Sequence, residues 1–97
     1  MTYESMPIPS LAEHTCRLYL ISPDSIPDVA VFAKVLGKTL AAGDVACFQL
    51  RLKNVDDATI TTVANELMPV CHCYNVAFIL NDRPDLAVKL GCDGVHI

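Results

Sequence analysis

Gln49, Arg51 and Lys53 alternate with Phe48, Leu50 and Leu52 along one short run, and a later apolar run ends in Asn81, Asp82 and Arg83. Successive side chains of a strand point to opposite faces, so the three polar groups of the first run would share one face where that strand ends. Arg brings a planar fork of donors, Lys a compact positive charge and Gln a neutral amide, a set suited to an anion with several phosphate oxygens. Asp82 adds a hard carboxylate of the kind that a small divalent cation prefers. The two strand ends are therefore expected to converge on one anion-binding, metal-capable site.

The elements that must position these groups follow a strand, helix, strand, helix, strand, short helix, strand order from Arg17 onward. Leu18-Tyr-Leu-Ile21 and Val76-Ala-Phe-Ile-Leu80 are short continuous apolar runs, as in parallel strands covered on both faces. Between them, Ser25-Ile-Pro-Asp28 predicts a helix start with Ser25 as the N-cap. Val29, Phe32, Ala33, Leu36 and Leu40 then recur at helical spacing, and Gly43 suits a left-handed stop. A second helix is predicted from about Asp56, burying Ile60, Val63, Ala64 and Leu67, with Pro69 kinking or ending it. A third, short helix runs from about Pro84 to Leu90 and is closed by Gly91, and Asp93-Gly-Val-His-Ile97 forms a fourth strand. Strands alternating with helices imply parallel crossovers, in either an open doubly wound sheet or a closed (β/α)8 barrel. In both, ligands bind at the C-terminal ends of the strands.

Composition sets the outer limits. At 97 residues the chain is at most one domain, and with 53% hydrophobic and 19% charged residues it is globular. A net charge of -4 argues against a nucleic-acid or anionic-membrane surface, so Arg51 and Lys53 are expected to serve a small anion. No apolar run approaches the roughly 18 residues of a membrane span. The five cysteines are an odd number, and the stretch before Arg17 is broken by Pro7 and Pro9 and carries Glu4 and Glu13, which does not suit a secretory leader; a reduced, cytoplasmic protein is expected. Neither a Gly-x-Gly-x-x-Gly turn nor a Walker-type loop occurs, so dinucleotide and P-loop readings lack support.

Plainer roles compete for several of these residues. Asp82 is placed either to cap the third helix or to ligate a cation, and the two roles are compatible. Arg51 and Lys53 could be solvated strand-end charges, although sharing a face with Gln49 argues otherwise. His96 fits a hydrogen-bonded structural histidine as well as a ligand-binding one. Cys71-His72-Cys73 lacks the spacing of a zinc site, since neighbours on a helix diverge by about 100°, and free thiols account for it better. Cys47 and Cys92 read as small core residues.

Leu18-Tyr-Leu-Ile21, Gln49-Leu-Arg-Leu-Lys53, Asn81-Asp-Arg83 with Asp85-Leu-Ala87, and Asp93-Gly-Val-His-Ile97 resemble, in order and spacing, the first half of the thiamine-phosphate synthase family. The resemblance implies an α/β fold of the (β/α)8 TIM-barrel type with only the first four strands present, residues 1–16 being an N-terminal arm and 17–97 the half barrel. It implies a transferase of thiamine biosynthesis that joins a hydroxymethylpyrimidine diphosphate to a thiazole phosphate, giving thiamine monophosphate and pyrophosphate with Mg²⁺. By matching position, Gln49, Arg51 and Lys53 would hold the pyrophosphate, with Arg51 and Lys53 taking the catalytic part. Asn81 would touch pyrophosphate or pyrimidine, Asp82 would ligate magnesium, and His96 would lie at the pyrimidine side. Leu52 replaces an acidic residue common in the family but lies on the opposite face. The resemblance also places a Gly-Gln segment with a second magnesium-binding aspartate directly after Ile97, so the 97 residues alone are expected to be inactive. A thiazole tautomerase on the same barrel, and a non-catalytic half barrel that binds a phosphorylated ligand or assembles as a homo-oligomer, are the alternatives.

Overall fold

Four strands alternate with three helices over residues 17–97, the part of the chain that the computed structural model describes; the expected arm, residues 1–16, lies outside the described residues. The elements are β1 (Leu18–Ile21), α1 (Val29–Ala42), β2 (Val45–Leu50), α2 (Asp57–Cys73), β3 (Ala77–Asn81), α3 (Pro84–Leu90) and β4 (Gly94–His96). All pairings are parallel and the sheet order is β1-β2-β3-β4. Among the described residues, no helix is long and apolar enough to cross a membrane.

Helix starts and stops follow short-range chemistry, with three departures from the sequence-based expectation. The N-cap of α1 is Asp28 rather than Ser25: its carboxylate accepts the Val31 N–H at 3.1 Å. Pro27 keeps the residue before it out of helical conformation, which delays the start until that carboxylate can act. Gly43 ends α1 in extended backbone (φ -130°, ψ 167°), not left-handed; its N–H donates to the Thr39 carbonyl at 3.1 Å. Pro69 neither ends nor interrupts α2, which is capped by Asp56 (Thr59 N–H, 2.8 Å) and runs on to Cys73. An interior proline costs about 3 kcal/mol. Pro69 itself is exposed, whereas Leu67 and Cys71 on the other side of the helix are fully buried, and burying a side chain of this kind returns roughly 1.5–3 kcal/mol each. The third helix behaves as expected, closing on Gly91 at φ 75°, where a side chain would be strained.

The two faces of the sheet differ. Phe48, Leu50, Phe78 and Leu80 point to the helices and are at most 2% exposed, and they meet Leu36 and Leu40 of α1, Val63 and Leu67 of α2, and Leu86 of α3. Phe48 sits between Phe32 and Phe78, with ring centroids 6.2 and 5.9 Å away. By alternation the other face carries Tyr19 and Ile21, Cys47 and Gln49, Ile79 and Asn81, and Gly94 and His96. Among the described residues no helix covers it, and Ile21 is 39% exposed. Cys47 therefore belongs to this open face and not to the helix-side core; Cys92 is partly buried against the core, as expected.

Candidate functional site

The C-terminal ends of the strands enclose a hollow of about 310 Å³ lined by Tyr19, Ile21, Gln49, Arg51, Asn81 and His96. Register explains the convergence. Ile21 pairs with Gln49, Gln49 with Ile79, and Asn81 with His96, so parallel strands bring their last inward side chains to one level. Gln49 is 3% exposed and donates through Nε2 to the Tyr19 hydroxyl at 2.9 Å. The sequence-based reading did not select Tyr19. Its signal was available: a polar-tipped residue on the inward face of β1, opposite the strand that bears Gln49.

Arg51 and Lys53 lie past the strand rather than on it. The predicted strand extended to residue 53, but β2 stops at Leu50. The next backbone donors turn to the segment after β1: the Arg51 N–H donates to Ser22 Oγ at 2.8 Å and the Lys53 N–H to the Asp24 carbonyl at 2.9 Å. Ser22 is buried, and its hydroxyl also donates to the Pro23 carbonyl. This strap breaks the alternation. Arg51 still lines the hollow with Gln49, but Lys53 is exposed and lines a second, adjoining hollow of about 460 Å³. Arg51 and Asn81 belong to both, and Lys53, Asp82 and Arg83 supply the other charged groups of the second. Among the described residues the Arg51 guanidinium has one loose ionic contact, Nη1 to Asp24 Oδ1 at 3.4 Å.

Asp82 does not cap α3. Arg83 occupies the N-cap position, and no side chain makes a cap hydrogen bond there. Asp82 instead has φ 55°, and its N–H donates to the His96 carbonyl at 2.6 Å. Its carboxylate enters none of the hydrogen bonds or ion pairs among the described residues, which leaves a hard oxygen donor beside a cationic hollow. No group of three His, Cys, Asp or Glu side chains among the described residues could enclose a metal ion. Magnesium commonly takes one or two carboxylates and completes its octahedron with phosphate oxygens and water, so a single aspartate next to Arg51 and Lys53 fits a cation that arrives with a phosphorylated ligand. Arg83, by contrast, is fully engaged with Asp57 and Asp85. The guanidinium holds both carboxyls below the usual range, through hydrogen bonds first and charge second.

The remaining polar clusters lie elsewhere. At the opposite end of the sheet, Asp93 accepts the Phe78 N–H and meets His72 Nε2, each at 2.7 Å. The backbone N–H first and His72 second keep the Asp93 carboxyl below its ordinary range. Cys71, His72 and Cys73 diverge: Cys71 is buried, with its thiol pushed up to about 12 by burial, His72 turns to Asp93, and Cys73 is exposed. A larger hollow of about 580 Å³ lies between α1 and α2 on the outer, helical layer, away from the strand ends.

Sequential strand order with all three helices on one side is the winding of a (β/α)8 barrel, not of a doubly wound sheet, in which helices cover both faces. Polar groups gathered at the strand C-termini are where that class builds its sites. Four strands are half of eight. The match to thiamine phosphate pyrophosphorylase from Pyrococcus furiosus agrees: the TM-score is 0.69 at 23% identity, covering 84% of this chain and 38% of that one. Thiamine-phosphate synthase of Rhodospirillum centenum is 55% identical over 82 residues, and that of Hyphomonas neptunium 44% identical over 92. The chain spans 39% and 38% of the length of these two relatives. Residues 18–97 match the thiamine monophosphate synthase family, and the chain belongs to it.

Proposed function

We propose that this chain builds the diphosphate and pyrimidine side of a cytoplasmic thiamine-phosphate synthase, a transferase that joins a hydroxymethylpyrimidine diphosphate to a thiazole phosphate. The observation that carries the reading is the pair of adjoining hollows at the strand ends, which share Arg51 and Asn81. In the reaction the C–O bond to the diphosphate breaks, pyrophosphate leaves with the bonding electrons, and the thiazole nitrogen forms the new C–N bond.

Leaving-group departure is helped by donors fixed where negative charge develops. Arg51 and Lys53 occupy such positions, Arg51 as a fork at the junction of the hollows and Lys53 as a point charge in the second. Gln49 is neutral and buried, with one N–H committed to Tyr19; its remaining N–H and its carbonyl suit an uncharged ring better than a diphosphate. Asn81 spans both hollows, and His96 closes the ring side of the first. Asp82 would hold Mg²⁺, which when bound supplies positive charge to the leaving diphosphate. Donors for the thiazole phosphate and a second metal carboxylate would come from outside these 97 residues.

Retention of Arg51, Lys53 and Asp82 around one hollow favours this reading over a tautomerase, which needs neither diphosphate nor metal. The test is a magnesium titration of thiamine monophosphate formation by the enzyme that contains this chain, with and without Asp82→Asn. A rise of tenfold or more in half-saturating magnesium is the expected outcome, roughly what losing an anionic oxygen from a hard-cation site entails. Turnover that needs no magnesium, or that shows the same half-saturation in the variant, would refute the assignment.

A further inference from the structure

Arg83 carries no assigned role, yet it makes the densest set of ionic contacts among the described residues. Its Nη1 and Nη2 meet Asp57 Oδ1 and Oδ2 at 2.6 and 3.0 Å, while Nε and Nη2 meet Asp85 Oδ1 and Oδ2 at 3.1 and 2.9 Å. Asp57 lies in the first turn of α2 and Asp85 in the first turn of α3. One guanidinium therefore ties the starts of two helices to the turn that follows β3.

Asp57 and Asp85 are about two-thirds exposed, so solvent screens these pairs, and only their bidentate, networked geometry lets them add to folding stability. What the fork fixes is direction, because its N–H groups donate to carboxylates lying near its own plane. The residue directly before it is Asp82, held at φ 55°, a conformation that non-glycine residues seldom keep without outside support. That turn is pinned on one side by the Asp82 N–H to the His96 carbonyl and on the other by Arg83.

We propose that Arg83 is a positioning residue: clamped by Asp57 and Asp85, it holds the 81–83 turn so that the Asp82 carboxylate faces the hollow shared with Arg51 and Lys53. The proposal rests on Asp82 being a cation ligand. It removes Arg83 itself from the phosphate-binding set, since its donors are spent on carboxylates.

The test is manganese uptake by the purified enzyme that contains this chain, in the presence of inorganic pyrophosphate, followed by the electron paramagnetic resonance signal of free Mn²⁺, alongside thermal unfolding. Residues that orient a metal ligand typically cost 10- to 100-fold in affinity when changed, and the exposure here points to the low end, about tenfold. Arg83→Gln and Asp57→Asn are each expected to weaken uptake about that much, with little further loss in the double variant, because both break one clamp. Arg83→Lys keeps the charge without the fork and is expected not to recover uptake. If Asp82→Asn weakens uptake while Arg83→Gln and Asp57→Asn do not, the clamp is wrong and the cation site stands. If Arg83→Lys restores uptake fully, charge alone matters and positioning is overturned. Absence of uptake by the unsubstituted protein, or uptake indifferent to Asp82→Asn, would overturn the cation reading and the clamp with it.

Discussion

Replacing Arg51 by Ala separates a ligand-binding arginine from a merely structural one. Its structural ties are weak. Among the described residues its side-chain ionic contact is the 3.4 Å approach to Asp24, which is exposed, and the backbone N–H to Ser22 survives the substitution. Losing an exposed pair costs about 0–1 kcal/mol, equivalent to no more than about 4–8 °C in melting temperature for a domain of this size. The functional cost should be larger. Two unit charges 4 Å apart interact by about 4 kcal/mol at the effective dielectric of a partly enclosed site, and by about 1 kcal/mol in water. Arg51 is half-buried at the junction of both hollows, whereas Lys53 is exposed and lines only one. Arg51→Ala is therefore expected to lower kcat/KM by roughly 10²–10³, the range found when one charge-stabilising donor is removed, and Lys53→Ala by about fivefold. Steady-state kinetics of the enzyme that contains this chain, with circular dichroism as a folding control, decides the matter. Equal losses at the two positions, or an Arg51 variant within a few-fold of the unsubstituted enzyme, would refute the reasoning.

Asp93→Ala is expected to destabilise the fold by about 2 kcal/mol in urea unfolding, because it leaves the N–H of the buried Phe78 without its acceptor. The carboxyl is held below its ordinary 3.8, so its contribution is present in full above that pH and is lost as pH falls through the lower folded value. The gap between Ala variant and unsubstituted protein should therefore narrow in acid without vanishing, because the protonated carboxyl keeps an oxygen that accepts the Phe78 N–H; a gap that does not narrow would contradict the assignment. Residues 1–97 on their own have β1 and β4 as sheet edges and, among the described residues, no helix over the face that carries Ile21 and Ile79. They are expected to self-associate in light scattering and to form no thiamine monophosphate from the two substrates with magnesium; a stable, active monomer would show that the account of the half barrel is wrong.

Local sequence determined much of the scaffold. The apolar runs, the helical spacing of Leu36, Leu40, Val63 and Leu67, the Asp56 cap and the left-handed Gly91 are short-range features, and each appears where the residues put it. Gln49 and Asn81 were legible as site candidates because strand alternation and parallel pairing carry inward side chains to one level; Arg51 and Lys53 were legible by their charge beside Gln49, and His96 through the family resemblance. Where the sequence misled, something distant in the chain intervened. Arg51 and Lys53 leave the strand because Ser22 and Asp24 take their N–H groups, and no pattern within residues 48–53 records those partners. Burial of the opposite side of α2 carries the helix past Pro69, and Asp82 has no capping role because α3 starts at Pro84, which puts Arg83 at the N-cap and leaves Asp82 one residue outside, at φ 55°.

The choice between two α/β architectures also belonged to the tertiary structure. Both are written with the same alternation of strands and helices. They differ in whether crossovers pass on one side of the sheet or on both, and that is set by which sheet face the helices bury. Phe48, Leu50, Phe78 and Leu80 supply one face for all three helices, while Tyr19, Gln49, Asn81 and His96 keep the other polar enough to build a site. Residue types fixed the chemistry that this chain can offer; the pairing of distant strands fixed where those groups meet.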